Sequence, residues 1–278
     1  MTPSLPPAVA AFRALHASGC FVLPNPWDAG TARYLRHLGF HALATTSAGF
    51  GYTLGLPDSA TAIPLEAMLG HVAEMVAATD LPVNADFQNG YARDPEGVAA
   101  NVARCVQTGV AGLSIEDSSG DAASPLYERS LAIERVRAAR AAIDASGTRV
   151  VLTARCEAWL VGDPAPARTA LDRLVAYSEA GADCLYAPGV RDSVTIAEIV
   201  RAVAPRPVNV LVSSPGPELT LARLTELGVR RISVGSALAR VAWGAFMRAA
   251  RSIQETGTFD ALAGLAPFAE LNQLFDVK

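Results

Sequence analysis

The residues with the chemistry to act on a small anion are three acids, one arginine and two neutral hydrogen-bonding side chains: Asp86, Glu116, Asp117, Arg155, Ser47 and Asn209. The stretch Pro82-Val-Asn-Ala-Asp-Phe-Gln-Asn-Gly-Tyr91 is an apolar run that ends in a carboxylate and a glycine-bearing turn, and Gly112-Leu-Ser-Ile-Glu-Asp117 repeats the pattern. Acids at the ends of buried strands are costly unless they lie at a rim and bind something. The alternative is that each acid only caps the helix that follows it. Val150-Val-Leu-Thr-Ala-Arg155 ends in a guanidinium, which can hold a carboxylate bidentately. Hard oxygen ligands without histidine or cysteine favour Mg²⁺ or Mn²⁺ over zinc. A cation and a guanidinium facing one another suit C–C cleavage through an enolate. In the competing reading Arg155 merely neutralises buried acids and there is no ligand.

Positioning these residues requires strands that end on one side of the molecule. Apolar β-branched runs alternate with amphipathic helices along the chain, in the order strand 20–24, helix 27–38, strand 41–47, helix 64–78, strand 82–86 and helix 95–108. Strand 113–115 follows, with a helix through about 145, then strand 150–155, helix 167–180, strand 183–186 and helix 194–203. Strand 207–212, helix 219–227, strand 231–235 and helix 237–255 complete eight pairs, which is the pattern of a (β/α)₈ TIM barrel. Five or six strands in an open sheet are the alternative. An opening helix, residues 6–18, is placed to plug one end. Residues 48–59 read as a long glycine-bearing loop on the active face. Residues 1–257 form the expected barrel, and 258–278 an apolar helical extension that packs on the barrel or on a partner subunit.

Composition narrows the function classes. With 278 residues and 51% hydrophobic content, one large core is expected. The formal net charge of −4 gives no footprint for nucleic acid, and the run Arg135-Val-Arg-Ala-Ala-Arg140 reads as a solvated helix face. Cys20, Cys105, Cys156 and Cys184 have no metal or redox spacing, and no segment reads as a leader or membrane span. The expectation is a cytoplasmic protein that binds neither nucleic acid nor membrane.

Several of these stretches, Asn25-Pro-Trp-Asp-Ala, Thr45-Thr-Ser-Ala-Gly, Asn84-Ala-Asp-x-x-x-Gly, Ile115-Glu-Asp, Thr153-Ala-Arg155 and Gly228-Val-Arg-Arg-Ile-Ser-Val-Gly, together resemble the isocitrate lyase and phosphoenolpyruvate mutase superfamily over nearly the whole chain. The resemblance implies a barrel whose last helix is swapped between subunits of a homodimer or homotetramer, and Mg²⁺ (or Mn²⁺) near Asp86 and, largely through water, Glu116. It implies that Ser47, the following N–H groups at Ala48 and Gly49, and Arg155 bind the substrate carboxylate beneath Trp27. Asp58 matches an aspartate of the family's second loop, so Asp58, Glu116 and Arg155 are the expected catalytic residues.

The departures narrow the reaction. Where the isocitrate and methylisocitrate lyases carry a Lys-Lys-Cys-Gly-His loop, this chain has Ser118-Ser-Gly-Asp-Ala-Ala-Ser, and the lysine and asparagine of the phosphonopyruvate enzymes' gating loop are missing too. Asn84 stands where those enzymes have a first aspartate. What remains is a metal-dependent carbon–carbon lyase for small 2-oxo or 2-hydroxy di- or tricarboxylates, with oxaloacetate-type decarboxylation foremost. Cleavage of a substituted malate or a 2-methylisocitrate-like acid, phosphonopyruvate-type chemistry, and a non-catalytic barrel that binds small carboxylates are the alternatives.

Overall fold

The computed structural model describes residues 5–276 apart from residue 60. Eight strands form one parallel sheet: β1 (Phe21–Leu23), β2 (Leu43–Ala44), β3 (Val83–Asp86), β4 (Gly112–Glu116), β5 (Val151–Arg155), β6 (Cys184–Tyr186), β7 (Val208–Leu211) and β8 (Arg231–Ser233). Their order is β1-β8-β7-β6-β5-β4-β3-β2, with β1 paired to β8, so the sheet curls round to bring β1 beside β2. No ladder joins those two. One backbone bond, Ala44 N–H to Pro24 O at 3.0 Å, bridges the seam. Asn25 fastens it further, donating to Thr45 O at 2.9 Å while its Oδ1 accepts from the N–H groups of Val234 and Gly235 at 3.0 and 2.8 Å. This is the (β/α)₈ barrel that the alternation requires.

The helices are α1 (Pro7–Ala17), α2 (Ala29–His37), α3 (Ser47–Thr53), α4 (Leu65–Ala78), α5 (Pro95–Gln107), α6 (Arg129–Ser146), α7 (Pro166–Glu179), α8 (Ser193–Val203), α9 (Leu221–Glu226), α10 (Ala237–Thr256) and α11 (Phe268–Phe275). Local chemistry starts many of them. Asp28 accepts from Thr31 N–H in a reciprocal capping box at α2, and Asp94 and Asp192 cap α5 and α8. Two expectations are corrected. The first is the stretch 41–59: its strand is only two residues long, and Ser47, read as the end of that strand, opens a helix that runs into the stretch read as a loop. Thr46 caps that helix, accepting from Gly49 N–H at 3.2 Å. Its glycines allow close packing, since a Cβ on Gly49 would lie 2.6 Å from Thr46 Cγ2 and 3.0 Å from Trp27 Cβ.

The second correction concerns Arg135, which is 1% exposed rather than solvated. Its guanidinium donates to the carbonyls of Asn89, Ala92 and Arg93 and lies 4.0 Å from the Tyr127 ring centroid. It thereby ties the turn after β3 to α6. A buried arginine without a carboxylate is satisfied here by carbonyl acceptors and a π face.

Helix α1 closes the end of the barrel where the strands begin. Phe12 is fully buried, and His16 packs edge-on against Phe12 and Phe21 with centroids 4.6 and 5.1 Å away. His16 Nδ1 lies 2.7 Å from Phe12 O, so it carries the proton, and Nε2 is left to accept from Arg231 Nη1 at 3.3 Å. Burial first, and then the charge of Arg231, lower the His16 pKa to about 3. The unfolded chain binds this proton near pH 6.5 and the folded one does not, so the stabilisation is complete above pH 6.5 and is lost as pH falls. Between pH 6.5 and 5 the loss should be about 2 kcal/mol. Urea unfolding of wild type and His16→Gln across that range should show a steeper decline in the wild type.

Candidate active site

Arg155, the last residue of β5, is the hub of the barrel mouth. Nη1 meets Asp86 Oδ1 at 2.6 Å, Nη2 meets Glu116 Oε2 at 3.1 Å, and Nε donates to Glu157 Oε1 at 2.9 Å. Asp86 ends β3 and Glu116 ends β4, and in the sheet register Glu116 stands beside Arg155. The Tyr186 ring on β6 flanks the guanidinium, its centroid 5.1 Å from Cζ. The other oxygen of Asp86 accepts from Ser47 N–H and Ser47 Oγ, each at 3.0 Å, and Ser47 Oγ also reaches Asp58 Oδ1 at 3.0 Å. Thr45 Oγ1 accepts from Asp86 N–H at 2.8 Å and fixes the strand end.

A cavity of about 160 Å³ opens above this network. Of the residues expected at the site, Ser47, Ala48, Asp58, Asp86, Arg155 and Asn209 line it. Glu116 does not reach the cavity wall and sits beside Arg155 as its ion-pair partner. Gly49 and Trp27 lie outside the wall; Trp27 borders a separate surface groove with Ala239, Trp243 and Phe246 from α10.

Asp117 leaves the rim altogether, which corrects its grouping with Glu116. Its Oδ2 accepts from Arg173 Nη1 at 3.1 Å and Tyr177 OH at 2.6 Å, both on α7, and its Oδ1 accepts from Glu157 N–H at 2.8 Å. Neighbouring residues on a strand point to opposite faces, so one acid of the pair meets the barrel interior and the other meets the helices. Sequence reasoning passed over Glu157, Tyr186 and Arg231. Glu157 had a signal in standing two residues beyond Arg155, and Arg231 and Ser233 alternate with apolar Ile232 as an inward polar face would.

The site carries more negative charge than its arginine can offset. Asp86, Glu116 and Glu157 contact one guanidinium, and Asp58 joins them through Ser47. Burial holds Glu116 well above the ordinary carboxylate range against the opposing pull of Arg155, with Glu157, Asp86 and Asp58 adding like charge. Glu157 is pushed up to about 7, again by burial first and against Arg155. At the lip of the cavity, partial loss of water and then the charge of Asp86 raise Asp58.

Among the described residues, no three of His, Cys, Asp and Glu converge as a ready-made cation site. The donor set nonetheless fits a hard cation of the Mg²⁺ kind, which is commonly held by one or two carboxylates with water and substrate oxygens in the other positions. Two observations support the fit. One is the acid excess. The other is the turn after Asp86, where Gln88 Oε1 and Tyr91 OH are buried without hydrogen-bond partners and both residues adopt positive φ, 44° and 57°. Asp86 and Glu116 would hold such an ion.

The chain belongs to the phosphoenolpyruvate phosphomutase family, whose model matches residues 12–254, and so to the superfamily that unites phosphoenolpyruvate mutases with isocitrate lyases. Enzymes of this class carry out lyase or mutase chemistry on small carboxylic acids. Over 97% of this chain and 96% of the other, the fold superposes on a Burkholderia cenocepacia protein solved as a candidate lyase/mutase, with a TM-score of 0.92 and 47% identity. An uncharacterised protein of Mycobacterium tuberculosis is 34% identical over 94% of both chains. An oxaloacetate decarboxylase of Chromohalobacter salexigens is 33% identical over 85% of this chain and 82% of its own length.

The two adjacent acids should separate by experiment. Asp117→Asn leaves Arg173 buried without its anionic partner and should cost about 3–5 kcal/mol in chemical unfolding. A loss below about 1 kcal/mol would show that the Asp117–Arg173–Tyr177 cluster does not hold α7 to the barrel.

Proposed function

We propose that the protein is a Mg²⁺-dependent carbon–carbon lyase that decarboxylates oxaloacetate or a close 2-oxo diacid. The observation that carries this reading is the cavity itself, where an acid excess suited to a hard cation lies against Arg155 and the Ser47 hydroxyl and N–H. The Chromohalobacter relative is itself an oxaloacetate decarboxylase, which agrees with it.

A divalent ion held by Asp86 and Glu116 would supply Lewis-acid polarisation of the substrate's 2-oxo group. The protein's own residues supply position. Asp86 and Glu116 would hold the ion. Arg155, kept in place by three carboxylates and the Tyr186 ring, would present its remaining N–H groups to the substrate carboxylate. Ser47 and the N–H of Ala48 would orient the same group, and Asp58 on the lip would close over it. As the C–C bond breaks, its electron pair moves to the oxo-bearing fragment, and a proton from water completes the product. The loop 118–125 folds back on itself through a Ser118–Leu126 bridge and contributes no thiol, so the reading needs no protein acid there.

Purified protein should release CO₂ and pyruvate from oxaloacetate with added Mg²⁺ or Mn²⁺ and leave 2-methylisocitrate intact. Asp86→Ala should abolish the rate, and Arg155→Lys should lower kcat/KM by about a hundredfold or more, because an ammonium cannot reproduce the fork. Full activity in chelator, or an unchanged kcat/KM in Arg155→Lys, would overturn the assignment.

The assembly is proposed to be a homodimer or homotetramer built through the C-terminal segments. Val241, Phe246 and Met247 on α10 and Phe259, Leu265 and Phe268 beyond it are exposed on the single chain, Phe268 by 87%. That is more contiguous apolar surface than a monomer usually shows water. Helix α11 touches α2, where a Gly30 Cβ would lie 3.5 Å from the Phe275 ring. Truncation before Thr258 should shift the sedimentation coefficient to a monomer or produce aggregates. A soluble monomer before and after truncation would assign the segment to this chain alone.

A further inference from the structure

Two arginines line the cavity, and they are in opposite electrostatic circumstances. Arg155 is surrounded by more carboxylates than it can neutralise. Arg231, at the start of β8 and 2% exposed, has no carboxylate within 4 Å among the described residues. Its partners are all neutral: Nε donates to Asn209 Oδ1 at 2.9 Å, Nη2 to Thr153 Oγ1 at 3.0 Å, and Nη1 to His16 Nε2 at 3.3 Å. Asn209 is held in turn, donating to Ser233 Oγ at 2.9 Å, so its carbonyl faces Arg231 by necessity. Burial and the charge of Arg231 itself keep His16 neutral, and with Nδ1–H donating to Phe12 O, Nε2 is the nitrogen left to accept from Arg231.

Three of the five guanidinium N–H groups are used, which leaves one on each terminal nitrogen. A buried guanidinium whose partners are fixed, neutral and directional is oriented but not compensated, and burying such a charge is costly unless an anion arrives. The wall around it is polar as well, with Asn84, Ser114, Asn209 and Ser233 facing the same space.

We propose that Arg231, aimed by Asn209, Thr153 and His16, is the receptor for a second carboxylate of the substrate, so that the site selects small acids carrying a carboxylate at each end. This rests on the reading of the cavity as the substrate site. One end of the substrate lies at Arg155 and Ser47, and the other extends inward to Arg231. A monocarboxylate of the same length would leave the guanidinium uncompensated, and the difference is the discrimination.

The test is calorimetric titration of the full-length protein, in excess Mg²⁺, with succinate and with butyrate, which match in carbon number and differ by one carboxylate. Wild type should prefer succinate by on the order of tenfold or more. Arg231→Met should bring the ratio close to one with little change for butyrate, and Arg231→Lys should restore part of it. Should the methionine variant fail to fold, Asn209→Asp keeps the shape and sets a carboxylate against Nε, and it should also erase the preference. No preference in wild type, or a preference unchanged in any folded variant of the set, would overturn the proposal. The lyase reading fails separately: a succinate preference that depends on Arg231, in a protein that releases no CO₂ from oxaloacetate, would remove the reaction and leave the receptor.

Discussion

The ion cluster centred on Arg155 is the constraint on which the rest of the mouth depends. It joins the ends of β3, β4 and β5 through one side chain, and through Asp86 it reaches Ser47 at the start of α3. Each strand supplies a single group, and only strands closing in sequence order bring those groups within hydrogen-bond reach. The cluster is electrostatically unfinished, because burial and mutual repulsion hold the Glu116 and Glu157 carboxyls above their ordinary range despite the guanidinium. A structural ion pair has no need of surplus acid. The surplus is maintained by the fold at a cost in desolvation, and the proposed cation site rests on it.

Beneath this cluster the barrel interior is unusual in being polar. Thr153, Asn209, Ser233 and Arg231 lie at levels that many barrels fill with branched aliphatic side chains. Space for them comes from small neighbours. A Cβ on Gly112 would lie 2.6 Å from both Asn84 Oδ1 and the Phe12 ring. The apolar packing is displaced to the layer between strands and helices, where Leu113, Leu152, Leu185 and Val210 are buried. The result is a gradient along the barrel axis, with excess negative charge at the mouth and an uncompensated positive charge nearer the floor.

Much of this architecture was legible in the sequence, for physical reasons. Parallel strands buried on both faces read as apolar runs, and an acid or arginine that ends such a run must be at a rim, which located Asp86, Glu116 and Arg155. What could not be read was direction within a run. Glu116 and Asp117 look alike as letters, and only the strand's phase relative to the helices turns the second toward Arg173 and Tyr177. Helix α3 was hidden because Gly49 and Gly51 look like loop residues, whereas their role is to let the backbone pack closely. Arg135 looked solvated because helical charge runs usually are, and the carbonyls it serves come from a turn over forty residues away. The strand that the sequence places at 41–47 is cut short by the Thr46 cap.

The seam between β1 and β2 has a mechanical consequence. A closed ladder behaves as a hoop in which every strand restrains its neighbours, and here the hoop is interrupted at one point and completed by a single backbone hydrogen bond and the Asn25 amide. Radial breathing of the barrel is therefore concentrated where the fewest bonds must lengthen, between the strands leading to Trp27 and Ser47. The opposite wall, where β4 and β5 pair over five consecutive residues, stays stiff. The Ala44 amide proton, which is bonded across the seam, is thus placed to exchange with solvent sooner than those of β5, and the barrel has a built-in expansion joint beside the mouth rather than across it.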